Sequence, residues 1–372
     1  MFIAISLIAG LSCLAAVALI AIRLRRRRPS ALPLERGRPV SVNYHFLRQC
    51  NYGCGFCFHT DKFADDGSGK KTSMLPLEDA KRGLLHLKLA GMRKINFSGG
   101  EPFLSDSSRR FLGSLCAYCK DDLRLESVSI VSNGSMIQDA WLAQYGKYVD
   151  IIAISCDSFD DDTNKNIGRF SKSRLSSSSP RETQFEIALR VAESCKRHGV
   201  QFKLNTVVTS FNKNEDMTPY LRRLPGLMRW KVFQCLSVEG ENVDGDTRRD
   251  VENFLISDDE FAAYIARHRA DVFIKSIIKP EDNAVMRNSY LILDEKMRFL
   301  DNRDSSKRPT QSILDVGVQA ALDDAGFDEE GFIQRDGFYP ETWTRESGGC
   351  ASAPTDIEDL GRAFAGRQRV NV

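Results

Sequence analysis

Between residues 40 and 240 the chain switches repeatedly between two hydrophobic periods, and this limits its possible folds more than any other feature. Residues 40–46 alternate apolar and polar side chains, as a half-buried strand does. Residues 75–90 instead carry Leu77, Ala80, Leu84 and Leu87 at helical spacing, with Gly91 as a stop. Strand signals recur at 94–97, 127–131, 151–155, 201–208 and 230–236, with helix signals at 107–120 and 185–198. Strands alternating with helices build parallel sheets from βαβ units. Six such strands fall short of the eight of a closed barrel. The fold class expected is therefore α/β, a partial (βα)6 TIM barrel. Polar residues gather just past the strand ends, the rim where barrels keep their chemistry.

The first strand runs directly into Cys50, Cys54 and Cys57, spaced C-x-x-x-C-x-x-C. Three thiolates on one tight loop can hold three irons of a cubane cluster and leave the fourth open to a small molecule. A structural zinc ion would need a fourth ligand nearby, which His59 could supply. Cys116 and Cys119 form a second C-x-x-C, but on a predicted helix without a redox-fold setting, so they read as ordinary thiols. Ten cysteines in 372 residues lack the density of a disulfide-stapled secreted domain. With 52 basic against 50 acidic residues, the chain is not a general nucleic-acid binder, and any cationic site must be local. Lys203 and Lys231 each sit inside an apolar strand pattern, where an unpaired charge is expensive.

Residues 1–22 are apolar and uncharged. As a helix they would span about 33 Å, enough to cross a hydrocarbon core of about 30 Å. Arg23, Arg25, Arg26, Arg27 and Arg28 follow, and positive charge after the apolar run places what comes behind it on the cytosolic side. The expected organisation is a membrane anchor and Arg cluster at 1–28, a linker at 29–39, the partial barrel at 40–270, a C-terminal extension closing the substrate site at 271–345, and a tail at 346–372. Residues 169–182 and 240–249 read as loops.

The cysteine loop, Ser98-Gly99-Gly100-Glu101-Pro102 and the strand–helix alternation together resemble the radical S-adenosylmethionine (SAM) enzymes. Stretches outside the barrel, such as Glu239-Gly240-Glu241-Asn242, 288–300 and 312–317, narrow the resemblance to the viperin-like family. That resemblance implies a [4Fe–4S] cluster on Cys50, Cys54 and Cys57 and SAM as second cofactor. It implies SAM contacts from Ser98, Gly99, Gly100, Glu101, Ser132, Ser155 and Lys94. It implies an antiviral dehydration of CTP to 3′-deoxy-3′,4′-didehydro-CTP, begun by a 5′-deoxyadenosyl radical taking the ribose C4′ hydrogen. The nucleotide contacts implied are Asn43, Arg169, Lys203, Asn205, Lys231, Lys307 and Arg335, with Tyr290 as the candidate proton or hydrogen donor. Lys307 and Arg335 would order over the rim as a lid once phosphates arrive. An electron donor, the iron–sulfur assembly machinery and the cytosolic face of the endoplasmic reticulum membrane are the expected surroundings, with no direct nucleic-acid partner. UTP or GTP as substrate, and a membrane-anchored antiviral interaction protein, are the alternatives.

Overall fold

The computed structural model describes residues 37–59, 74–171, 182–239, 242–243, 250–287, 289–301, 307–335, 337 and 344. The expected anchor, the Arg cluster, most of the linker, the loop at 172–181, most of that at 240–249 and the tail at 346–372 lie outside these residues. Among the described residues no helix is long and apolar enough to cross a membrane. The chain divides into two units, Met1–Arg38 and Pro39–Val372. Only Gly37 and Arg38 of the first are described, and all that follows concerns the second.

All six predicted strands are present: β1 (Ser41–His45), β2 (Lys94–Ser98), β3 (Ser127–Ser132), β4 (Ile151–Ser155), β5 (Gln201–Val208) and β6 (Leu227–Gln234). They pair in chain order, all parallel. The predicted count was short at both ends. β7 (Ile278–Glu281) extends the sheet beyond β6, and β8 (Leu291–Leu293) lies parallel to β1 on the opposite side. β9 (Arg298–Leu300) and β10 (Pro309–Ser312) continue antiparallel from β8. The extension expected from residue 271 supplies strands to both margins of the barrel sheet. β7 and β8 do not pair with one another, so the parallel sheet is open.

Helices α1 (Leu77–Leu89), α2 (Asp106–Ala117), α3 (Asp139–Tyr145), α4 (Asp161–Ile167) and α5 (Gln184–Arg197) connect the first five strands. Their ends follow local chemistry. Ser105 and Ser108 form a capping box on α2, and Thr183 with Glu186 does the same for α5, satisfying amides that open a helix. The helix expected over 107–120 is α2 followed by a π turn at Tyr118–Asp122, which buries Tyr118 and Cys119. In α1 Ala80, Gly83, Leu84 and Leu87 form the buried stripe.

The period of two on the strands sorts the molecule into layers. Val42, Tyr44, Ile95, Phe97, Ile130, Ile152, Leu204 and Trp230 point to the helix side and are fully buried. Each such side chain contributes about 1.5–3 kcal/mol of transfer free energy. Their neighbours point the other way, into a cavity of about 380 Å³. Asn43, Lys94, Asn96, Ser129, Lys203, Asn205, Arg229 and Lys231 are polar, and Val131, Ile151 and Ala153 give β3 and β4 an apolar stretch there. A sheet apolar on one face and cationic on the other determines where the function sits.

Candidate active site

The cysteine loop is held by backbone on two sides. Gly53 N and Gly55 N donate to the carbonyls of Gly168 and Ile167, at 3.1 and 2.9 Å. Gly168 has φ of +80°, and a Cβ there would lie 2.5 Å from the Gly53 carbonyl oxygen, so this close approach requires glycine. On the other side Gly100 N donates to Leu47 O at 2.7 Å and Glu101 N to Gln49 O at 2.8 Å. A Cβ on Gly100 would stand 1.9 Å from Gln49 O and one on Gly99 2.3 Å from Leu47 O, so the turn lies against the loop only because these two positions lack side chains.

Cys50, Cys54 and Cys57 lie on this loop, none of them in a disulfide, with Cys50 exposed. Among the described residues no three His, Cys, Asp or Glu side chains converge on a point that one metal ion could occupy. His59, the possible fourth zinc ligand, is buried edge-on against His45 at 4.5 Å, and neither of its ring nitrogens has a hydrogen-bond partner. The donor set therefore fits a larger, thiolate-held group with several metal corners better than a closed zinc tetrahedron.

Glu101 is fully buried, and its carboxylate accepts from three protein donors: Phe103 N at 2.9 Å, Ser132 Oγ at 2.7 Å and Asn133 N at 2.8 Å. Burial raises its pKa and these bonds pull it back. A carboxylate has about four acceptor sites, so roughly one is left for an ammonium group. Ser132, expected to touch SAM, is 2% exposed and faces Glu101; it supports the turn and does not line the cavity. Ser98 and Ser155 do line it, whereas Gly99 and Gly100 form the backbone cradle.

Across the cavity floor runs a polar chain: Ser129 Oγ donates to Asn96 Oδ1 at 3.0 Å, and Asn96 Nδ2 to Asn43 Oδ1 at 2.9 Å. Lys94, Lys203, Asn205, Arg229, Lys231, Tyr290, Lys307 and Arg335 line the same space. Burial, together with Lys231, Arg229 and Arg335, pushes Lys94 down to about 7. Burial and the neighbouring cations push Lys203 well below its ordinary value. Lys231 differs. Burial works against its charge, but Glu281 and Tyr290 more than offset that and its pKa rises. Lys231 Nζ donates to Glu281 and, at 3.0 Å, to Tyr290 Oη.

Two placements differ from the expected roles. Arg169, expected at the phosphates, is paired with buried Asp157, its Nη1 donates to Ser155 O at 3.4 Å, and its guanidinium lies 5.9 Å from the Phe56 ring of the cysteine loop. It lines the cavity from the cluster side. Lys307 and Arg335, expected to order with phosphate, are already seated by protein contacts. The Lys307 ammonium sits 3.3 Å over the Phe58 ring, and Arg335 donates to Ser289 O at 2.8 Å while stacking 3.7 Å over Tyr290.

Sequence reasoning missed Arg229, Asn96 and Glu281. Period-two spacing carries the first two, since Arg229 stands two residues before Lys231 on one face of β6, and Asn96 two after Lys94 on β2. Nothing local marks Glu281, which ends a four-residue strand containing a proline.

The radical SAM superfamily signature matches residues 44–224. SuiB of Streptococcus suis bound to SAM superposes with a TM-score of 0.54 at 15% identity, over 84% of this chain and 73% of that one. The structure of anSMEcpe with bound AdoMet gives 0.55 at 14% identity, over 90% and 100%. In sequence, the chain is 51% identical over 307 residues to the S-adenosylmethionine-dependent nucleotide dehydratase RSAD2 of Oncorhynchus mykiss, covering 82% of this chain and 81% of the relative. It is 34% identical over 304 residues to the S-adenosylmethionine-dependent nucleotide dehydratase of Flammeovirga pacifica, covering 80% and 95%. With its thiol loop, glycine cradle and cationic cavity on one rim, the chain belongs to the viperin-like family of radical SAM nucleotide dehydratases.

Proposed function

We propose that this enzyme converts CTP to 3′-deoxy-3′,4′-didehydro-CTP in the cavity enclosed by β1–β6. The observation that carries the reading is the inward face itself: Lys94, Lys203, Arg229, Lys231, Lys307 and Arg335 converge on one space beside the cysteine loop. A single exposed ion pair contributes only about 0–1 kcal/mol, so a multiply charged anion needs several cations from separate strands. Cys50, Cys54 and Cys57 would hold a [4Fe–4S] cluster, which with SAM would supply the radical chemistry that begins at the ribose C4′ hydrogen. The protein's own share is placement. Ser98–Glu101 offer backbone and one carboxylate site to the methionine end of SAM, with Ser155 on the cavity wall. Asn43, Asn96 and Asn205 suit the ribose and its hydroxyls. The cations hold the triphosphate, so the ribose sits between them and the thiol loop. Misplacing that ribose should cost rate steeply.

Burial keeps the Tyr290 phenol protonated at neutral pH, and Lys231 stays charged. Tyr290 Oη donates to Glu281 and accepts from Lys231 Nζ. The phenol, with the lysine behind it, therefore protonates the departing 3′-hydroxyl, which leaves as water, and one electron from the electron donor completes the alkene. The test is anaerobic reconstitution with dithionite, SAM and each of CTP, UTP, GTP and ATP in turn, reading 5′-deoxyadenosine and dehydrated nucleotide. CTP alone should give product. Product with UTP or GTP alone would correct the base, and product with none would defeat the nucleotide reading. A Cys54→Ala change should abolish activity, whereas Cys119→Ala should not.

The apolar run at residues 1–22, followed by its arginines, supports anchoring to the endoplasmic reticulum membrane with the enzyme on the cytosolic face. An electron donor and the cytosolic iron–sulfur assembly machinery would then share that compartment. Alkaline carbonate extraction of cell membranes should leave the full chain in the pellet and release a variant lacking residues 1–28; recovery of the full chain in the wash would refute the anchor.

A further inference from the structure

A carboxylate is the wrong sign for a cavity that takes a triphosphate, yet Glu281, 3% exposed, lies directly behind three of its lining residues, Lys231, Tyr290 and Arg335. Its partners account for it. One oxygen accepts from Lys231 Nζ and the other from the Tyr290 hydroxyl. Arg335 Nη1 lies 3.9 Å from the first oxygen. Arg335 is also fixed by the Ser289 carbonyl and by the Tyr290 ring beneath it. Three side chains from distant parts of the chain, on β6, just before β8 and at the end of the helix Glu329–Gln334, are thus tied through one carboxylate.

We propose that Glu281 is a positioning residue for the dehydration: it binds no substrate but assembles Lys231, Tyr290 and Arg335 into one unit on the cavity wall. This rests on the nucleotide reading above. The physical need is clear from what surrounds Lys231. Lys94 faces it from β2, Lys203 from β5, Lys279 in register from β7, with Arg229 on its own strand and Arg335 across Tyr290. Without the carboxylate these cations repel one another, and the flexible Lys231 stem swings away or loses its proton. With it, two cations and a hydroxyl are set before substrate arrives, so less order is lost on binding.

Two variants of the full, cluster-loaded enzyme separate positioning from packing. Glu281→Gln keeps the shape and removes the charge, and Glu281→Asp keeps the charge and shortens the reach. KM, kcat and their pH profile are read for whichever nucleoside triphosphate the wild type dehydrates. Glu281→Gln should raise KM about tenfold or more. Its kcat/KM relative to wild type should fall further as pH rises, because loss of the Glu281 charge lowers the Lys231 pKa. Glu281→Asp should raise KM by about threefold with a ratio that does not change with pH. A purely structural role would lower melting temperature and cluster content without that pH-dependent ratio. Folded Glu281→Gln with wild-type KM and kcat, or a constant ratio across pH, overturns the proposal. If only Glu281→Asp folds, an unchanged KM in that variant overturns it. If the wild type dehydrates none of the four triphosphates, the nucleotide reading fails by itself, and the Glu281 claim is read on tripolyphosphate binding. There, equal affinity in wild type and Glu281→Gln, or in Glu281→Asp if only that folds, would sink it.

Discussion

Two groups of cations share the cavity and keep their charge by opposite means. Lys94 and Lys203, on β2 and β5, are driven toward the neutral amine by burial and by neighbouring cations, among them Arg229 and Lys231 for both. Lys231 and Arg335, on the far wall, have Glu281 between them. Asp150 is the carboxylate that pulls Lys94 back, and it is already engaged by Lys120 and by Val128 N. Glu281 therefore favours charge at Lys231, whereas burial and neighbouring cations work against it at Lys94 and Lys203. This division lets a site hold several cations without their mutual repulsion unfolding the sheet beneath them.

The largest effect expected from this contrast is on stability. Lys231→Met leaves Glu281 buried with only Tyr290 and the more distant Arg335, and breaking a buried pair from one side costs about 3 kcal/mol or more. Urea unfolding should show that loss, together with loss of nucleotide turnover. A Lys231→Met protein as stable as wild type would mean that Glu281 has no need of its partner, and the two walls would not differ.

Proton uptake gives the second effect. Lys94 titrates near about 7 in the folded protein, and an anion beside it raises that value. Above about pH 7 the free enzyme has lost this proton and the complex regains it, so affinity falls as pH rises, by up to about tenfold per unit. The γ-phosphate completes its own ionisation near pH 6–7, so the slope is cleanest above roughly pH 7.5. Calorimetry between about pH 7.5 and 9 in two buffers of different ionisation enthalpy should show both weakening and proton uptake. In Lys94→Met the uptake should shrink. An affinity independent of pH would mean that the β2–β5 wall is charged already.

How much of this was legible beforehand depends on the range of the interaction involved. β1–β6 were readable because alternation is a local signal repeated along each strand, and the same alternation, pressed further, yields Arg229 and Asn96. The cysteine loop and the glycine cradle were readable from residue type, since only glycine permits the approach of Gly100 to Gln49. β7 was missed because a strand of four residues holds too little periodicity. Although residues 288–300 are strand-like in composition, no local signal shows that β8 pairs with β1 about 250 residues away. Ser132 and Arg169 were assigned to ligands because their positions are right. Their side chains are turned by Glu101 and Asp157, partners that no spacing rule connects to them. Glu281 is the extreme case, a residue whose role is defined wholly by three others from elsewhere in the chain.

The smallest effect, and the most discriminating, is Lys203→Met. Lys203 is 7% exposed, and none of the described carboxylates bonds it. Its folded pKa lies below its unfolded value, so between the two the unfolded state holds more protons and stability rises with pH. The penalty is thus greatest at and below the folded pKa and fades as pH approaches about 10. Replacing the amine by a methionine of similar length removes that penalty, so the variant should be more stable than wild type by about 1 kcal/mol near neutral pH. The gain should vanish in alkaline buffer. Triphosphate affinity should fall in the same protein. Stability and binding moving in opposite directions at Lys203, but together at Lys231, would establish that one wall is held charged by the fold and the other by its ligand. A Lys203→Met protein less stable than wild type at neutral pH would mean that this lysine, too, has its charge balanced from within.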